Sequence, residues 1–193
     1  MNKDEIIRQA IDYVERLFEG NSDGHDAQHT FRVYKNAQLI SESYPEADCF
    51  IISLAALLHD ADDHKLFRTG NNDHARAFMH GHGIPDETIE TICRIINAVS
   101  FSQNRGRVPE TQEGKIVQDA DRLDALGAVG IARTFAYGGK AGRSLDDSIQ
   151  HFHDKLLLLK DEMNTDAARQ MAVRRHEYMT RFLQEYNRET RND

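Results

Sequence analysis

Apolar residues recur along most of the chain at intervals of three and four, and no segment alternates with period two for long. Near the amino end, Ile6, Ala10, Val14, Leu17 and Phe18 share one stripe of a helix over residues 3–18. Asn2 and Glu5 have the spacing of a capping box at its start. "GNSDG" (20–24) breaks the pattern, and a second helix follows over 26–43, closed before Pro45. Residues 47–59, "ADCFIISLAALLH", are apolar nearly all round, which marks a helix buried on most sides. After the irregular "DADDHKLFRTGNN", two helices over 73–81 and 86–99 are parted by "GHGIP". The loop "FSQNRGRVPE" leads into a helix over "TQEGKIVQDADRLDAL". "YGGKAGRS" (137–144), with three glycines, reads as a flexible connection. Ser144 and Asp147 then cap a helix through Leu159, and Thr165 caps a final one reaching about Arg188. Without repeats or a dividing linker, the pattern predicts one all-α domain over residues 1–193.

Composition agrees and removes several function classes. A chain of 193 residues suits one sizeable core, and the absence of Trp with only three prolines favours helices over short strands. A net charge of -8 argues against binding a nucleic-acid polymer or a membrane surface, while leaving room for a local basic pocket that holds phosphorylated small molecules. Cys49 and Cys93 sit in apolar helical patterns without zinc-like spacing, as buried free thiols of a reducing compartment. The first helix is charged throughout, unlike a signal peptide, and no apolar run approaches the ~20 residues of a membrane span. The expectation is a soluble cytoplasmic protein.

Candidate chemistry gathers in three places. The apolar helix ending at Leu58 runs straight into His59 and Asp60, followed by Asp62, Asp63, His64 and Lys65. His25 and His29 lie one turn apart on the second helix. Asp119, Asp121 and Asp124 are interleaved with Val117, Ala120, Leu123 and Leu126, and Asp121 and Asp124 face roughly together. A carboxylate on the packed side of such a helix must be paired or bound to a cation. A His from one helix, a His–Asp pair ending a buried one and an Asp from a third would make a mixed nitrogen and oxygen site. Such a site suits Mn, Mg, Fe, Ni or Zn as divalent ions better than a thiolate-seeking metal.

His29, the pair His59–Asp60 and then Asp121 follow the order H…HD…D, and with them the chain resembles the HD-domain metal-dependent phosphohydrolase superfamily. The blocks "HDAQHTFRVYKNA", "LLHDADDHK", "QDADRLDALGAVGIARTFAYGG" and "HFHDKLLLLKDEMNT" extend the likeness, to small bacterial HD hydrolases, over nearly the whole chain. The resemblance implies an all-helical HD bundle that binds a divalent ion, manganese first, through His29, His59, Asp60 and Asp121. It also implies hydrolysis of phosphate esters or anhydrides, with nucleoside or deoxynucleoside triphosphates cleaved to monophosphate and pyrophosphate. His25–Asp26 is a competing pair, ranked second because Asp26 opens a helix as an ordinary N-terminal charge. His25 then belongs to the surroundings of the metal or to the pocket wall.

Other residues are assigned around this centre. Asp62 and Asp63 are candidate bases or anchors, and Lys65 is the first candidate for a phosphate contact. Arg122 is a further substrate-binding candidate beside Asp121, although adjacent helical residues point apart, while Arg68, Lys140 and Arg143 lie in segments read as flexible and able to close over phosphates. "YGGKAGR" lacks the order of a phosphate-binding loop. His80 and His82 read as a frayed helix end and not as a second metal site. His151, His153 and His176 read as surface or packing residues. The rivals are a nucleoside 5′-monophosphatase, a phosphodiesterase, and a nucleotide-sensing scaffold without turnover.

Overall fold

The apolar run predicted over 47–59 becomes the axis of the molecule. In the computed structural model, which describes residues 2–20, 26–63, 67–101 and 104–190, it forms a helix over Cys49–Leu58 in which every residue from Ile52 to Leu58 is buried. The elements are α1 (Lys3–Leu17), α2 (Ala27–Ser41), α3 (Cys49–Leu58), α4 (Asp73–Gly81), α5 (Asp86–Val99), α6 (Gln112–Asp124), α7 (Gly127–Lys140), α8 (Leu145–Asp154) and α9 (Asp166–Thr190). A 3₁₀ segment, Leu156–Glu162, joins the last two, and no strand occurs among the described residues. Asp48 starts α3 by accepting from the amides of Phe50 (2.8 Å) and Ile51 (3.3 Å). Because α3 carries no polar face, α1, α2, α5 and α6 all pack against it. Each fully buried Leu or Ile contributes roughly 1.5–3 kcal/mol.

α2 lies along α6, and α4, α7, α8, the 3₁₀ segment and α9 add further parts of the core. There Phe135, Phe152 and Phe182 form a triangle with ring centroids 5.9–6.1 Å apart. α9 is tied to α6 through polar groups. Asp119, fully buried, accepts from the Asn164 and Thr165 amides, the Asn164 side chain and the Thr165 hydroxyl at 2.7–2.8 Å. Arg175 donates to the Leu123 carbonyl and to Asn36. Thr165 does cap α9, its hydroxyl accepting from the Ala168 amide (3.3 Å).

Several sequence expectations are corrected. Asn2 caps α1 through the Asp4 amide, and Glu5 turns to Arg8 and Gln9, so no reciprocal box forms. α8 stops at Asp154, where Lys155 leaves helical geometry (φ −138°, ψ −60°), and the chain continues as the 3₁₀ segment. Cys49 is exposed, and only Cys93 is a buried thiol. Tyr137–Lys140 is the last turn of α7, not a flexible connection. Gly138 there, and Gly130 two turns earlier, serve close packing. A Cβ on Gly138 would lie 2.5 Å from the Ser148 hydroxyl, and one on Gly130 2.2 Å from the Ala125 carbonyl. Gly127, at φ +73°, provides the left-handed residue that separates α6 from α7. Among the described residues no helix is long and apolar enough to cross a membrane.

Candidate metal centre

The three regions singled out in the sequence meet. Asp26 caps α2 by accepting from the His29 amide (2.7 Å), which places the His29 side chain in the first turn, facing inward and 3% exposed. His59 and Asp60 follow the last turn of α3, held by successive tight turns from Ala61 to Leu58 and from Asp63 to Asp60. α6 contributes Asp121. His29 Nε2 lies 3.3 Å from His59 Nε2, 3.4 Å from Asp60 Oδ2 and 3.4 Å from Asp121 Oδ1. His59 Nε2 lies 3.4 Å from Asp60 Oδ1 and 4.0 Å from Asp121 Oδ1.

The opposite nitrogens of both rings are engaged. His59 Nδ1 donates to the Ala56 carbonyl (2.9 Å), which only accepts, and His29 Nδ1 pairs with Asp124 Oδ2 (2.8 Å). Asp124 is 2% exposed and also receives Arg32 Nε (2.7 Å), Arg32 Nη2 (3.1 Å) and Arg133 Nη1. Burial alone would raise the Asp124 carboxyl, but hydrogen bonds from His29 and Arg32 and the charges of His29 and Arg133 hold it well below the usual range. Burial would likewise depress the His29 imidazole, yet Asp124 and Asp60 outweigh it and raise the ring to about 9.

This arrangement fits a cation. With both Nδ1 atoms donating outward, the neutral rings turn two nitrogen lone pairs toward each other across 3.3 Å, beside two carboxylates. Such a group is mutually repulsive until a positive charge enters, either a proton on His29 or a metal ion. His29, His59 and Asp121 offer ligand atoms within 4.8 Å of one another, and Asp60 adds its carboxylate from the same side. Two imidazoles with two carboxylates are donors for a divalent ion, and the fixed Nδ1 partners preset the ring orientation.

The centre opens into a cleft of about 550 Å³, a size suited to a small-molecule ligand. Asp62 lines it, but its oxygens accept from the His74 (3.0 Å) and Ala75 (3.1 Å) amides. It therefore caps α4 from a distance, the geometry of an anchor. Asp63 also lines the cleft. Arg122, a candidate for substrate contact, lines the cleft, though it is 3% exposed and anchored on the Glu162 carbonyl and carboxylate. Arg143 lines the cleft with its guanidinium 5.0 Å from the Tyr137 ring centre. Arg68 and Lys140 are exposed and do not line it. His25 and Lys65 lie outside the described residues.

The remaining histidines divide. His80 is exposed beside Asp86 (3.6 Å), and His82 is committed to the Phe78 carbonyl and Gln9 (both 2.7 Å). His153 is exposed and His176 lies on α9. His151, expected to be a surface or packing residue, instead lines the cleft. Arg32 and Arg133 were missed from the sequence. Their link to Asp124 spans 92 and 9 residues, and the only local signal was a carboxylate set among apolar neighbours.

An all-helical core whose most buried helix delivers a His–Asp pair to a His and an Asp from its neighbours defines a class of metal-dependent hydrolases. The profile of the HD domain matches residues 26–126, and the chain belongs to this HD-domain superfamily of metal-dependent phosphohydrolases. It is similar to the Lin1889 protein of Listeria innocua (41% identity, TM-score 0.79, covering 96% of this chain and 95% of that one). An HD-superfamily hydrolase from Bacillus thuringiensis is 40% identical, with TM-score 0.82 and full coverage of both chains. YpgQ of Bacillus subtilis, solved in complex with ADP, is 36% identical with TM-score 0.85, covering 100% of this chain and 98% of that protein.

Proposed function

We propose that this protein cleaves nucleoside or deoxynucleoside triphosphates to the monophosphate and pyrophosphate. A single divalent ion, manganese first, would be held by His29, His59, Asp60 and Asp121. The observation that carries this reading is charge. A chain of net charge -8 nevertheless places Arg122, Arg133, Arg143 and Lys155 along the cleft that leads from these ligands. A polyphosphate chain calls for more cations than a monophosphate does. The ADP bound by the related YpgQ supports a nucleotide as ligand.

When bound, such an ion polarises a phosphoryl oxygen and makes a water more acidic. The chain's own residues supply the rest. Asp124 and the Ala56 carbonyl keep both rings in the tautomer that presents Nε2. Arg133, tethered to Asp124 and lining the cleft, offers positive charge where the phosphates enter. Asp63 is the acid left to take the proton of the attacking water, since Asp62 is committed to α4. The engagement of His82 and the exposure of His80 support one ion over two.

A nucleotide panel with each cation tests the reading. Pyrophosphate released from triphosphates, fastest with manganese, is the expected result. Orthophosphate released only from monophosphates would replace it with the monophosphatase, and nucleotide binding without turnover would replace it with the sensor.

A further inference from the structure

The two sides of the cleft differ in charge. The segment after α3, the start of α4 and the end of α5 contribute Asp62, Asp63, Asn71, Asn72 and Asn97 and, among the described lining residues, no Lys or Arg. Every Arg and Lys among the described lining residues comes from α6, α7, α8 or their connections. At the α8 end two of these cations and a histidine draw together. His151 and Lys155 are four residues apart, on one face of α8 and its C-cap, and Arg143 precedes the same helix. Rings hold the two stronger cations in place, Arg143 at 5.0 Å from the centre of Tyr137 and Lys155 at 4.8 Å from that of Phe101. The His151 imidazole is pulled down first by burial and then by the charges of Lys155 and Arg143, so it favours the neutral form beside two fixed cations. A polyanion at this end would be drawn to the two cations and would favour a proton on His151.

We propose that Arg143, His151 and Lys155 form a distal subsite for the terminal phosphates of the triphosphate. The leaving pyrophosphate then lies toward α8, and the nucleoside lies against the amides of Asn71, Asn72 and Asn97. This orientation rests on the triphosphate reading above, and it explains why the basic groups are confined to one side. Amide side chains, which both donate and accept, suit the sugar hydroxyls and base edges on the other.

The test pairs two substrates and one binding measurement. Arg143→Gln/Lys155→Gln removes both charges while keeping polar, somewhat shorter side chains; Arg143→Gln alone, at an exposed position, is the second variant should the double one fold poorly. On a nucleoside triphosphate, kcat/KM should fall on the order of 10- to 100-fold, mainly through KM. On the p-nitrophenyl ester of thymidine 5′-monophosphate, which has no terminal phosphates, it should stay within about 2-fold of the unmodified protein. Inorganic tripolyphosphate should bind the metal-free protein and bind the variant more weakly by a similar factor. Equal losses on both substrates, or unchanged tripolyphosphate binding, would overturn the subsite. If the unmodified protein releases no pyrophosphate from triphosphates, yet binds tripolyphosphate through Arg143 and Lys155, the subsite stands and the triphosphate reading fails.

Discussion

Replacing Asp124 with Asn separates the roles of the buried carboxylate most cleanly. The side chain keeps its shape, but an imidazole and two guanidinium groups lose their common negative partner. Removing one member of a buried charge pair costs roughly 3–5 kcal/mol. Arg32 and Arg133 are 34% and 25% exposed, so water compensates in part and the lower end applies, about 3 kcal/mol. For a chain of this size that lowers Tm by roughly 6–12 °C. Divalent-ion affinity should fall about 10- to 100-fold, because His29 loses the partner that fixes its tautomer. The pH dependence carries a signature. His29 is raised to about 9 in the folded protein, so its share of stability is complete below its unfolded pKa of about 6.5 and drains away as pH rises through 9. Asp124 is depressed, so its share is present above about 3.9 and is lost on acidification. Thermal melts in chelator at pH 6 and pH 9.5 should show the gap between unmodified protein and variant narrowing at the higher pH. Calorimetric titration with manganese reports the affinity. A variant with the original melting curve and the original affinity would refute the assigned role of Asp124.

Other outcomes follow from the same geometry. Divalent ions should displace a proton from His29, so affinity should climb from pH 6 toward pH 9 with proton release visible by calorimetry in buffers of different ionisation heat; a flat profile counts against the ligand set. Asp121→Asn should weaken ion binding by at least 10-fold while shifting the metal-free melt by less than about 1 kcal/mol, since this carboxylate is 22% exposed and its nearest ring nitrogens lie 3.4 and 4.0 Å away. Asp62→Ala should cost about 1–2 kcal/mol through the lost α4 cap yet leave kcat within a few-fold; a collapse of kcat at unchanged stability would return Asp62 to the list of bases.

The positions that were legible in the sequence share a local cause. α4 and α5 begin and end where the apolar spacing says, because nothing distant overrides it. His29, His59, Asp60 and Asp121 were recognisable through their order and the apolar run that ends in His59. What escaped depends on contacts between distant residues. The glycines of "YGGKAGRS" look like flexibility, but whether Gly138 frees the chain or admits Ser148 is decided by a neighbour ten residues away. Asp62 and Asp63 are indistinguishable as letters; only the approach of α4 commits one of them. His151 looked remote because it lines the cleft from a helix that begins 85 residues beyond Asp60.

The mounting of His59 and Asp60 on the end of α3 has a consequence for how the protein fails. A fraying terminus or an opening loop elsewhere leaves these two side chains where they are, since the helix that carries them is the most enclosed of all. Their amide neighbours should be among the slowest to exchange with deuterium. On heating, ion retention and turnover should therefore vanish in the same step as the structure itself, with no folded but inert species preceding collapse.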